Sequence, residues 1–251
     1  MTSIAHFLAA CREGNSNKIY SFVFRGLQHE ANAEGWTPLM EASCYNQIKI
    51  AKYMVNKGVT VNAAANDGAT DLVIAVGKGH LDVLRVLCES GADVNAADIN
   101  GATALMTASS EGHEDLLTFL CESGVDVNAA EINGATALTI ASIEGRLNVS
   151  RILCGSGADV NAADISGRTA LMIASTLDVS TFLCERGADV NAADDYGRTA
   201  LMFASREGHL AVVRYLTEQG ADLFARHQDG NTALAIAILY NHVAVGAYLK
   251  T

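Results

Sequence analysis

Histidines and cysteines supply the groups best suited to chemistry in this 251-residue chain. His80, His113, His209 and His242 could move protons near neutral pH or ligate a metal. Cys88, Cys121, Cys154 and Cys184 could form disulfides, bind zinc or act as nucleophiles. Asp93, Asp126, Asp159 and Asp189 add carboxylates. Each set recurs in one local context. The histidine follows a turn glycine or asparagine, the cysteine sits near the end of an apolar run, and the aspartate opens an Asp-Val-Asn stretch.

That recurrence has a fixed period. A Gly-x-Thr signal stands at Gly35, Gly68, Gly101, Gly134, Gly167, Gly197 and Gly230, with spacings of 33, 33, 33, 33, 30 and 33 residues. Such a period marks a stacked array. Side chains that recur once per layer run in lines, with stacked helices about 8–10 Å apart. A disulfide needs Cα atoms within about 7 Å, and zinc ligands all lie about 2 Å from one ion. The cysteines are therefore expected to be reduced packing residues. The histidines, one layer apart, cannot converge on a substrate. No nucleophile–base pair and no phosphate-cradling glycine loop occurs, so the expectation is no catalysis, no metal and no cofactor.

Residues 98–130, DINGATALMTASSEGHEDLLTFLCESGVDVNAA, show how one layer is built. Asp and Asn of DING favour a turn, and Gly101 supplies positive φ. Thr103 can cap the helix ALMTASSE, and Gly112 can end it in the left-handed conformation. EDLLTFLCES reads as a second helix with apolar residues at 116, 117, 119 and 120, closed by Gly124. One such hairpin cannot bury its apolar faces alone, whereas a stack can. The aspartates belong to the exit turn, which gives them a structural role.

These residues resemble the ankyrin repeat family. The matching words are GWTPLMEAS at 35–43, GADVNAAD at 91–98, 157–164 and 187–194, and EGH at 111–113 and 207–209. The resemblance implies an all-α ankyrin-repeat solenoid of about eight stacked helix-turn-helix units with β-turn/hairpin fingers, forming a single domain over 1–251. The expected repeats are an N-terminal cap at 1–34, then 35–67, 68–100, 101–133, 134–166, a shortened 167–196, 197–229, and an incomplete C-terminal repeat at 230–251. The family's Thr-Pro-Leu-His word survives only as Thr37-Pro38-Leu39-Met40. Without the Thr–His hydrogen bond, each first helix should begin less firmly.

Two irregularities carry expectations. Repeat six, ALMIASTLDVSTFL, lacks three residues at the end of its first helix. The loss should leave a short helix, a tighter or strained corner with Ser175 or Thr176 as cap, and a notch. Val179, Phe182 and Leu183 should still face the core. The notch reads either as a tolerated deletion or as a hinge or groove. The last repeat, with ALAIAILY and VAVGAYL, is apolar where a terminal cap should be polar. Continuation of the natural chain or self-association through this end would each account for it.

In the resembled family the turn tips and first helices line a concave face that binds proteins. Carried onto this sequence, the partner-binding residues are Trp36, Tyr45, Ile99, Asn100, Glu111, Ile132, Asn133, Glu144, Ile165, Arg168, Tyr196, Arg198 and Arg206. Ile99, Ile132 and Ile165, continued by Tyr196, make an apolar row at tips that are normally polar. That row is either a contact surface or isoleucines packed on one another. Trp36 and Tyr45 are aromatic anchors, or Trp36 packs on the cap. The resemblance also marks Asn95, Asn128, Asn161 and Asn191 as candidates for hydroxylation, each eight residues after a leucine.

Charge is unevenly spread. The net charge is −11, which argues against nucleic acid as a partner. Between Val86 and Gly145 ten acids occur with no Lys or Arg, and arginines follow from Arg146 onward. The expected partner is a protein with a basic segment facing repeats three to five and an acidic group near repeats six and seven, gripped by Arg168, Arg198 and Arg206. The longest apolar run, Ala233–Tyr240, is eight residues, too short to span a bilayer. No signal peptide is evident, so a cytoplasmic protein is expected, with the nucleus left open. The function expected is that of a non-catalytic interaction scaffold or adaptor. The rival is a targeting or regulatory module of a larger enzyme or channel.

Overall fold

A computed structural model describes residues 3–250. The chain divides into two compact blocks, residues 1–126 and 127–251. Among the described residues, the first block holds α1 (Ser3–Arg12), α2 (Ser16–Phe24), α3 (Pro38–Cys44), α4 (Ile48–Asn56), α5 (Asp71–Gly77), α6 (Leu81–Glu89), α7 (Ala104–Glu111) and α8 (Glu114–Glu122). The second holds α9 (Ala137–Ile143), α10 (Leu147–Gly155), α11 (Ala170–Ile173), α12 (Leu177–Glu185), α13 (Ala200–Glu207), α14 (Leu210–Glu218), α15 (Ala233–Leu239) and α16 (Val243–Tyr248). No strand or sheet forms among the described residues. Consecutive helices pack as pairs, and within each block first helices stack on first helices and second on second.

The second helices are amphipathic for a simple reason. In α6 the apolar residues fall on one face, so Val83, Leu84, Val86 and Leu87 are buried. The first helices are richer in small residues, and Ala42, Ala75 and Ala108 are fully buried in the first block. Their small side chains allow the first helices to approach more closely than the second helices do.

The helix starts correct one expectation. Thr37, Thr103 and Thr136 accept from the backbone N–H three residues on. The residue standing where the family has histidine returns a bond to the threonine N–H: Met40 Sδ at 3.4 Å, Met106 Sδ at 3.5 Å and Thr139 Oγ1 at 2.6 Å. A reciprocal capping box therefore fixes these starts without histidine, with weak sulfur acceptors in two of the three.

Each first helix is preceded by a finger. Isolated antiparallel bridges close the fingers at Ala64–Thr70 and Ala97–Thr103 in the first block, and at Ala130–Thr136, Ala163–Thr169 and Ala193–Thr199 in the second. The turn aspartate organises the tip: Asp98 Oδ1 accepts from Asn100 N at 2.7 Å and from Ala102 N at 2.9 Å. Neighbouring fingers bond through their backbones, Ile99 N to Asp67 O at 3.2 Å and Ile165 N to Asn133 O at 3.0 Å. Gly68 and Gly134 have φ of 86° and 83°. A Cβ on either would lie 2.7 Å from the next finger's backbone N, of Ile99 and Ile165 respectively. Glycine is required there both for the conformation and for the close approach.

Repeat six also differs from expectation. α11 is only four residues long, and Ala174 leaves it at φ −60° and ψ 119°. This is ordinary backbone, so the corner is unstrained: no left-handed residue is needed once the glycine turn is gone. Thr176 Oγ1 accepts from Val179 N and caps α12. Val179, Phe182 and Leu183 remain buried. Ser175 N donates to Ser142 O at 3.1 Å, tying the shortened corner to α9.

Candidate functional site

Two of the four histidines bond across the stack. His80 Nε2 lies 3.1 Å from the Cys44 carbonyl oxygen, and His242 Nε2 lies 2.7 Å from that of Arg206. Each ring, in the tautomer protonated at Nε2, satisfies a carbonyl at the end of the preceding first helix. The cysteines are free. Burial pushes the thiols of Cys88 and Cys184 up to about 11, and raises Cys154 and Cys44 as well. Thiols raised in this way are poor nucleophiles at neutral pH. Among the described residues, no three His, Cys, Asp or Glu side chains are placed to hold a metal ion.

In the first block, Ile99 is 64% exposed at its finger tip. Asn100 is exposed beside it, and Glu111 is exposed at the end of α7. Trp36 is half-buried, and its backbone N–H donates to Asn32 Oδ1 at 2.8 Å. Tyr45 is exposed at the end of α3, with the Arg12 guanidinium 5.1 Å from its ring centroid. Arg12 also pairs with Glu41 at 2.6 Å, so the first repeat reaches over and holds this aromatic in place.

In the second block, Ile132 and Ile165 are 73% and 71% exposed, and Tyr196 is 53% exposed. Tyr196 stands one residue nearer its finger glycine than the isoleucines, with Asp195 in their register. Asn133 is exposed, and its Oδ1 accepts from Ala135 N at 2.7 Å. Glu144 is exposed at the end of α9. Arg168 and Arg198 turn back into their own fingers. Arg168 reaches Asp164 through Nε at 2.7 Å and a terminal nitrogen at 2.6 Å. Arg198 holds the buried carboxylate of Asp194 in the same way, at 2.7 Å through each nitrogen. Burial pushes the Asp164 carboxyl up, but hydrogen bonds from Arg168 and the Ser166 N–H outweigh it and leave it below the usual carboxylate range. Arg198 also lies over the rings of Tyr196, at 5.0 Å, and Phe203, at 4.8 Å. These two guanidinia are thus paired within the fold while staying partly exposed. Arg206 is exposed, 5.6 Å over the ring of Tyr240 and 3.7 Å from Glu207.

The exit turns hold residues whose structural role sequence reasoning missed. Asn128 Oδ1 accepts from Asp159 N at 2.8 Å, and its Nδ2 donates to Gly157 O at 3.1 Å. Asn161 does the same with Asp189 N and Gly187 O, and Asn191 with Asp222 N and Gly220 O. In the first block, Asn95 Oδ1 accepts from Asp126 N at 2.7 Å. Each asparagine thus bridges to the following repeat. The signal for this was present: only a carboxamide both donates and accepts from one planar end, and it recurs at one register.

The sequence model of the family described as ankyrin repeats (three copies) matches residues 7–98, 95–164, 130–194, 162–227 and 193–250. The chain belongs to the ankyrin-repeat family. Ankyrin repeats are in general protein–protein interaction modules, and ankyrin domains are typically non-catalytic. No curated protein matches the chain. No helix among the described residues is long and apolar enough to cross a membrane.

Proposed function

We propose that this ankyrin-repeat chain is a non-catalytic scaffold or adaptor that binds a partner protein on the side formed by its fingers and first helices. The observation that carries the reading is the exposed apolar row at the finger tips, Ile132 and Ile165 with Tyr196 beside them, and Ile99 in the first block. Finger tips are ordinarily polar, and apolar side chains held in water by a rigid turn favour a contact surface. Closer stacking of first helices than of second helices within each block supports concavity on that side. Exposed Glu111 and Glu144 favour a partner with a basic segment. Arg206 is the most exposed of the three arginines offered to an acidic group, while Arg168 and Arg198 also hold their own fingers. The candidate asparagines use their amides in the exit turns, so hydroxylation at Asn95, Asn128, Asn161 or Asn191 would add to a bridged side chain.

Site-specific photo-crosslinking in cells tests the reading. A crosslinker at Ile132, Ile165 or Tyr196 should capture one and the same protein, whereas a crosslinker at Arg214 on α14 should not. Capture from Arg214 alone would place the interaction on the second helices and overturn the proposal.

A further inference from the structure

The three residues missing from repeat six leave a hollow of about 290 Å³ in the second block. α11 stops after Ile173, while α9 and α13 on either side run three or four residues longer. The vacated space is lined by Ile143, Ile173, Ala174 and Phe203, with Glu207 and His209 among its polar residues. Ile143 is 51% exposed, and Ile173 and Phe203 are only half-buried, so the walls face water in the free chain. An apolar cavity of about 150 Å³ suffices for benzene, so this one holds a large aliphatic or aromatic side chain. It falls just below the roughly 300–1,000 Å³ of ordinary small-molecule pockets.

Charge narrows the occupant. Glu207 is the one carboxylate among the lining residues, and no Lys or Arg lines the hollow. The neighbouring Arg206 meets that carboxylate only at 3.7 Å and otherwise lies over Tyr240. We propose that the hollow is a docking pocket for a partner peptide that inserts one large apolar side chain between α9 and α13 and sets an adjacent Lys or Arg on Glu207. This rests on the protein-binding reading above and names the anchor chemistry within it.

The test is selection of a displayed library of random twelve-residue peptides against the full chain. Selected peptides should share a large apolar residue next to Lys or Arg. A synthetic winner should lose at least tenfold in affinity to Ala174→Phe, which fills the hollow, and about two- to fivefold to Glu207→Gln. Ile143→Asp at the exposed rim should lose tenfold too, and it decides the matter if Ala174→Phe does not melt like wild type. The proposal is overturned if nothing is selected, if the winners lack the pair, or if the filled variant binds them unchanged. Winners that ignore the filled hollow but are lost on Ile132→Glu with Ile165→Glu would leave the finger row standing and remove the pocket. Self-association abolished by Ala174→Phe would assign the hollow to a second copy instead.

Discussion

Asp71 stands at the first position of α5, where the corresponding helices begin with Pro38, Ala104, Ala137, Ala170, Ala200 and Ala233. It is fully buried, and neither carboxyl oxygen has a hydrogen-bond partner among the described residues. Burial raises its proton affinity well above the ordinary value. An unfolded aspartate titrates near 3.9, so the folded state favours the neutral form. That contribution is complete below about pH 4 and is lost as pH rises toward the raised folded value. Asp71→Ala should therefore gain about 1–3 kcal/mol at pH 7 in urea unfolding, with the gain shrinking toward pH 4; no gain at pH 7 would contradict this. Arg198 presents the opposite case. Arg198→Ala strips the guanidinium from the buried Asp194 carboxylate and should cost about 1.5–3 kcal/mol. A partner-binding loss in an Arg198 variant must then be read beside its melting curve.

Helices and turns show why part of the molecule was legible in its residues and part was not. The 33-residue Gly-x-Thr period and the apolar faces of the second helices point to a helical stack, because periodicity records burial directly. The capping boxes were hidden: reciprocal bonding by Met40, Met106 or Thr139 depends on side-chain reach, and the family word led the reading to histidine. The pairing of Arg168 and Arg198 with Asp164 and Asp194 was not legible, because those aspartates read as the residues that shape the finger. The corner of repeat six was expected to be tight or strained, but extended backbone at Ala174 with a Thr176 cap absorbs the deletion. A four-residue helix closes almost no internal hydrogen bonds, so amides of residues 172–174 should exchange faster than those of α9 and α13. Equal protection across the three helices would refute that. The asparagine bridges persist before, across and after the deletion, at Asn128, Asn161 and Asn191 respectively. Asn161→Ala leaves the Gly187 carbonyl and Asp189 N–H to water and should cost about 1–2 kcal/mol in a denaturant titration. A change under a few tenths would show that the bridge contributes nothing.

Across the whole molecule, recurrence decides what these residues can do. His80 and His242 share one register of the repeat, where each satisfies a carbonyl, and Cys88, Cys121, Cys154 and Cys184 share another on the second helices. The groups left for recognition are those the layers cannot absorb: exposed isoleucines at finger tips, exposed acids at first-helix ends, and the hollow beside α11. A surface of repeated shallow contacts binds by area and a few anchors. The most direct measurement is a calorimetric titration of the partner captured from Ile132 against wild type and the Ile132→Glu, Ile165→Glu double variant. Loss of at least tenfold in affinity, with an unchanged melting curve, is the result expected. Equal affinity for both proteins would contradict the assignment of function to the finger row.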